Sequence, residues 1–208
     1  MQNRKIKDIH VLITITLAII FWYLTFSVQL LNFWLSMGVA ATTLSILAMW
    51  WGGFPYKREQ LNTRTLVIGV GSAGLLYLIF YVGNILSQLM FNFAKPQISS
   101  IYNISNQAEA VVITVVLLFI TSPGEEIFWR NFLQRWSMQR FGDLKGWLFA
   151  ASIYAGAHIS SGNFILTMAA LIAGLFWGYI YRKERNTLAI TISHALWTTG
   201  IFIFFPMI

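Results

Sequence analysis

Seven apolar runs divide this chain, at roughly residues 10–31, 33–51, 65–90, 108–134, 147–161, 164–181 and 186–206, and they leave it few folds. A helix needs about 20 apolar residues to cross a bilayer, and the first three and last two runs meet that need. The run at 147–161 is short, and the run at 108–134 carries charges in its second half. An isolated strand leaves its backbone polar groups unsatisfied in lipid. The runs are also continuous rather than alternating, which argues against a β-barrel. The expectation is an all-α, multi-pass transmembrane helical bundle of about seven helices, forming a single membrane domain over residues 1–208. The first run is long enough to span, and no small-x-small cleavage site follows it, so it reads as a retained helix rather than a signal peptide.

Charge supports this class and adds an orientation. Only 10% of residues are charged, against about 25% in a soluble domain. A net charge of +7 would point to nucleic acid in a soluble protein. Here the basic residues sit in clusters between apolar runs, which is how membrane topology is encoded, so no nucleic-acid partner is expected. Arg4, Lys5 and Lys7 precede the first run, and Lys57, Arg58 and Arg64 follow the second. Arg130, Arg135, Arg140 and Lys145 end or follow the fourth, and Arg182, Lys183 and Arg185 follow the sixth. Along an alternating seven-helix path all of these fall on one side, with only Lys95 on the other. The positive-inside rule then puts the N-terminus in the cytosol and the C-terminus outside. The chain has no cysteine, which excludes disulfides, thiolate metal sites and a cysteine nucleophile.

Acidic residues are scarce, and five of the seven fall in loops or at helix ends. Glu125 and Glu126 are different, lying side by side between Leu117-Leu118-Phe119-Ile120 and Ile127-Phe128-Trp129. An ionisable group at the bilayer centre costs about 2.5–3.5 kcal/mol on insertion scales, so its default reading is functional. Ser122-Pro123-Gly124-Glu125 also reads as a capping box with proline at the first helical position. On that reading a helix starts there, and Pro123 and Gly124 break the chain where a water-filled cavity is needed. Arg130 lies four residues after Glu126, the favourable order for an ion pair on one helix face. Glu125 sits about 100° round the helix and is freer to act on a water. His158 and His194 each interrupt an apolar helix.

Depth links these residues. At about 1.5 Å per residue, Glu125 lies roughly 15 Å from Arg135, His158 roughly 20 Å from Lys145, and His194 roughly 13 Å from Arg185. Three helices therefore bring polar groups to a similar level, read as the cytosolic half. In the sixth run Ala170, Gly174 and Gly178 form a small-residue stripe that lets another helix approach closely.

Glu125-Glu126-x-x-x-Arg130, Tyr154-x-x-x-His158 and His194 with its following turn resemble the CPBP family of intramembrane proteases, the CAAX proteases and bacteriocin-processing or Abi proteins. The Gly174-x-x-x-Gly178 run leading through Tyr181-Arg182 and Asn186-Thr187-Leu188 into His194 is similar to the family as well. The resemblance covers about Pro123 to Thr198 and implies a catalytic region over residues 110–203. It implies a glutamate-dependent endopeptidase in the cell membrane, with a cavity facing the cytosol and a peptide or membrane-protein substrate. Glu125 would activate water, His158 would assist as base, and Glu126 with Arg130 would support the geometry. His194 would stabilise the oxyanion, helped by the residue one turn later. The family usually has Asn or Asp at that last position, where this chain has Thr198, and a hydroxyl brings only one proton. That departure motivates an alternative, a non-proteolytic bacteriocin immunity or binding protein. No cofactor is expected on the first reading. Zinc held by Glu125, His158 and His194 is a second arrangement that the chemistry permits.

Overall fold

The computed structural model describes residues 5–207. Arg4 of the charge tally lies outside the described residues. Eight continuous helices follow one another: α1 (Asp8–Val28), α2 (Phe33–Gly52), α3 (Thr63–Met90), α4 (Ala94–Asn103), α5 (Ala110–Phe141), α6 (Asp143–His158), α7 (Phe164–Glu184) and α8 (Thr187–Phe204). Six are long and apolar enough to cross a membrane. The run at 147–161 forms α6, a sixteen-residue helix that is shorter than these six. The multi-pass helical bundle expected from the sequence is what the chain forms. Between the third and fourth apolar runs the chain is also helical. At ten residues, α4 is about 15 Å long and cannot cross.

Asparagine starts four of the helices. The side chains of Asn32, Asn62, Asn163 and Asn186 accept hydrogen bonds from the exposed first-turn amides of α2, α3, α7 and α8, which satisfies donors that a helix leaves without partners.

Polar contacts tie the bundle into two distinct ends. At one end Arg140 pairs with Asp8 (3.8 Å), Arg64 with Glu184 (3.0 Å) and Arg185 with Asp143 (2.8 Å). These contacts join the starts of α1, α3 and α6 to the ends of α5 and α7, so the basic loops do gather on one side. At the other end the links are neutral. Asn32 bonds the Gln107 carbonyl, Ser27 the Ser160 carbonyl, and Asn163 both Gln97 and Ser100 of α4. The Met207 amide donates to the Tyr102 hydroxyl and its carbonyl accepts from Asn84. The start of α1 thus lies at the basic end and the close of α8 at the neutral end.

The expected helix start at Ser122 is not there. Helix α5 runs unbroken through Pro123, with turns widened to i→i+5 bonding at Leu117–Thr121 and Glu126–Gln134. Proline lacks an N–H and crowds the preceding turn, and widened turns absorb both defects without breaking the helix. Gly124 then lets α5 lie directly on α2, where a Cβ would stand 2.9 Å from the Ala41 carbonyl oxygen.

Close packing positions α6. Gly174 and Gly178 of the small-residue stripe face Tyr154 and Trp147, which a Cβ would approach to 3.1 and 2.7 Å. Gly146 is tighter still, since its Cβ would meet the Met138 backbone at 2.3 Å. Backbone cannot swing aside as a side chain does, so Gly146→Ala must push α5 and α6 apart. Overpacking of this kind costs about 1–3 kcal/mol or more. The expected result is a lower thermal midpoint for the purified protein; an unchanged midpoint would show that the two helices are not in this contact.

Candidate active site

The widened turns of α5 set the site. Glu125, at the wall of a cavity of about 300 Å³, is 7% exposed and accepts a hydrogen bond from the Tyr154 hydroxyl at 3.1 Å. Glu126 is completely buried behind it. One of its oxygens, Oε1, accepts both from Arg130 Nη1 at 3.0 Å and from His194 Nδ1 at 2.7 Å. The second oxygen, Oε2, is buried without a hydrogen-bond partner.

Arg130 is held on every side. Beyond Glu126 it reaches the Ala173 carbonyl, and its guanidinium lies 4.8 Å from the Tyr154 ring centre and 5.4 Å from that of Trp177. A buried guanidinium needs such partners, and aromatic faces supply part of what water would. It faces inward rather than reaching for headgroups. Trp177 also stacks on His194 at 4.0 Å between ring centres and donates its indole N–H to Ser193. The His194 ring is therefore clamped between a carboxylate and an indole, with Nε2 as the nitrogen that can face a substrate.

His158 ends α6. Its Nδ1 lies 2.8 Å from the Tyr154 carbonyl, and Trp22 Nε1 lies 3.2 Å from its Nε2. A carbonyl only accepts and an indole N–H only donates, so the imidazole carries its proton on Nδ1 and accepts from Trp22 through Nε2. Thr198 donates to the carbonyl of His194 at 2.8 Å and lies 3.2 Å from the Ser122 hydroxyl. Its single proton is thus committed to its own helix.

The sequence-derived residues do come together. Glu125, His158, His194 and Thr198 all line the cavity, while Glu126 and Arg130 brace it from behind. Trp22, Ser122 and Trp177 were not among the expected site residues. Trp22 lies 136 residues from its partner His158, and an indole in an apolar run carries no signal of its own. A shared zinc ion does not fit these side chains as placed. Both nitrogens of His158 are engaged, and among the described residues no three His, Asp or Glu groups lie where one ion could join them.

The cavity points away from the basic loops. Its wall runs from Glu125, Trp177 and His194 to Asn84, Tyr102 and Met207 at the neutral end. Arg135, from which the depth of Glu125 is counted above, does not mark a membrane surface. Arg135 is instead buried, bonded to the Gly52 carbonyl at 2.6 Å, and α5 continues to Phe141. Glu125 consequently sits midway along α5.

Residues 107–200 match the family model for type II CAAX prenyl endopeptidase Rce1-like proteins. Over this stretch, just under half of its length, the chain is similar to the CAAX protease family. The match takes in the site-bearing parts of α5 to α8 and all six expected site residues. It leaves out α1 to α4, and with them Trp22 and the α4 side of the cavity. No curated protein and no solved structure matches the chain. The similarity to the family therefore lies in α5 to α8.

Proposed function

We propose that the chain is an intramembrane endopeptidase in which Glu125 activates a water against a peptide bond. The observation that carries this reading is the placement of Glu125 on the cavity wall beside His194, whose Nδ1 is held by the buried Glu126–Arg130 pair. Water gives a proton to Glu125 as its oxygen attacks the carbonyl carbon, and the negative charge moves to the carbonyl oxygen. There the His194 Nε2–H donates to it, with Glu126 steadying the imidazolium through Nδ1. Glu125 then passes its proton to the leaving amine as the carbon–nitrogen bond breaks. The family name, type II CAAX prenyl endopeptidase, supports peptide hydrolysis and leaves the substrate to be found by assay.

His158 acts here as a positioning residue. Its Nε2 is occupied by Trp22, so a water must displace the indole before the imidazole can serve as base. Thr198 is the weakest part of the site, because its proton points to its own helix. Thr198→Val should therefore leave kcat within about threefold. Thr198→Asn supplies an amide donor, and one oxyanion donor is worth about 10²–10³ in kcat elsewhere. A rise in kcat of tenfold or more is expected from it in a peptide-cleavage assay on purified protein. A large loss in Thr198→Val would place the hydroxyl on the substrate instead.

The committed Thr198 proton and the occupied His158 nitrogen also favour a second reading, a binding or immunity protein that holds a peptide without cutting it. Glu125→Gln separates the two. If protection or binding persists unchanged while no cleavage is found in the parent, the second reading stands.

A further inference from the structure

We propose that the substrate reaches Glu125 from the side of the membrane opposite the basic loops, through the apolar cavity beside α4. We infer further that it is a peptide segment with uncharged side chains flanking the cut. The proposal of substrate class rests on the protease reading, whereas the side of access stands on the structure and the charge pattern.

Three independent features carry it. The first is the cavity wall. It leads from the catalytic level to Ile98, Ile101 and Tyr102 of α4, Asn84 and Ser87 of α3, and Met207 beyond α8. None of its residues comes from a basic loop. The second is a plug on the basic side. Gln134 bonds the Gly178 carbonyl at 2.7 Å, Arg135 bonds that of Gly52, and the Tyr56 hydroxyl lies 3.2 Å from Thr191, one turn before His194. Burial pushes the Tyr56 hydroxyl up to about 12, so it stays a neutral hydrogen-bonding group there across the working range. These layers lie between the catalytic groups and the basic loops.

The third feature is charge. Ion pairs gather the described basic loops at one end, while Lys95 and Glu109 are the charged residues of the opposite loops. The positive-inside rule makes the basic end cytosolic, so the cavity opens to the extracytoplasmic side. Beyond Glu125, His158 and His194 the wall holds only neutral side chains, many of them aromatic. A charged residue next to the cut would lose water and gain no partner there. Prenylated chains carried on the cytosolic face are then on the wrong side of the membrane for this site. The substrate that fits is an apolar stretch of an exported or membrane-anchored peptide.

The chain has no cysteine, so single cysteines can report access cleanly. Ser87→Cys and Ile101→Cys in the cavity wall, and Lys57→Cys in a basic loop, are expressed in intact cells and treated with a charged, membrane-impermeant methanethiosulfonate. Reaction of the two cavity cysteines in intact cells is expected, with Lys57→Cys reacting only after permeabilisation. The opposite pattern overturns the proposal. So does failure of both cavity cysteines to react from either side while Lys57→Cys reacts.

Activity separates this inference from the reading beneath it. Modified Ser87→Cys should lose at least tenfold in peptide cleavage, and modified Lys57→Cys should not. A lysine or aspartate placed beside the cut should lower kcat/KM by about a hundredfold, on the scale of placing a charge in the membrane interior. Equal cleavage of charged and neutral peptides overturns the substrate class and leaves the labelling result intact. Outside labelling without any cleavage keeps the access route and removes the protease reading.

Discussion

Glu125→Gln abolishes cleavage while the protein still inserts and folds: this is the largest effect expected of any single substitution. Glutamine has the shape of glutamate and can still accept from Tyr154, so the wall of the cavity is kept. It cannot take a proton from water. General-base catalysis contributes about 10²–10⁴ in rate, and kcat in a purified assay should fall by at least that range. The thermal midpoint should hold or rise, since a buried carboxylate is replaced by a neutral group that needs no counter-charge. Tyr154→Phe provides the graded control. It removes the hydrogen bond to Glu125 without moving the ring stacked near Arg130, so kcat should fall far less than in Glu125→Gln. If Glu125→Gln keeps wild-type kcat, the attacking water belongs to another residue and the mechanism is wrong.

Much of the fold was legible because lipid removes alternatives. Without water, a backbone polar group has to bond within its own helix, so apolar length marked the long helices of the bundle. The charge clusters were legible for a similar reason, as loops are where charge is tolerable. Helix α4 was not legible from apolar length, since a short helix lying at one end need not be apolar throughout. The unbroken α5 was missed because Pro123 and Gly124 read locally as punctuation. What overrides them is packing: Gly124 seats α5 on Ala41, and widened turns relieve Pro123. Local chemistry proposed a helix start, and tertiary contact kept the helix whole.

The site was legible where charge is costly and silent where it is not. Glu125, Glu126, Arg130, His158 and His194 stand out from an apolar sequence because each needs a partner. The partners that are themselves apolar in character, Trp22 and Trp177, do not stand out among nine tryptophans. Which acid did what was only half readable. Spacing paired Glu126 with Arg130 correctly, whereas its bond to His194 spans 68 residues and depends on where α8 docks. Arg135 reads in the sequence as a surface anchor, and it is a buried group that bonds the Gly52 carbonyl at the end of α2.

Arg130→Ala should be the most destabilising change in the site and a poor probe of chemistry. Arg130 is 2% exposed and Glu126 fully buried, and breaking a buried pair by removing one partner costs about 3–5 kcal/mol. The loss should exceed that of Glu126→Gln, which keeps an acceptor for both Arg130 and His194. It is measured as the shift in thermal midpoint of the purified protein in detergent. Replacing both partners, as in Glu126→Leu with Arg130→Met, removes the charges together and should recover most of the stability, since apolar substitutes for buried pairs are often neutral. Cleavage should not return with it, because the His194 ring has lost the carboxylate that orients it and supports its charge. The two readouts therefore move apart in the double variant. Recovered stability with full activity would show that Glu126 and Arg130 serve the fold alone. Stability that stays low in the double variant would show that the cavity left behind, rather than the stranded charge, is what the single substitution costs.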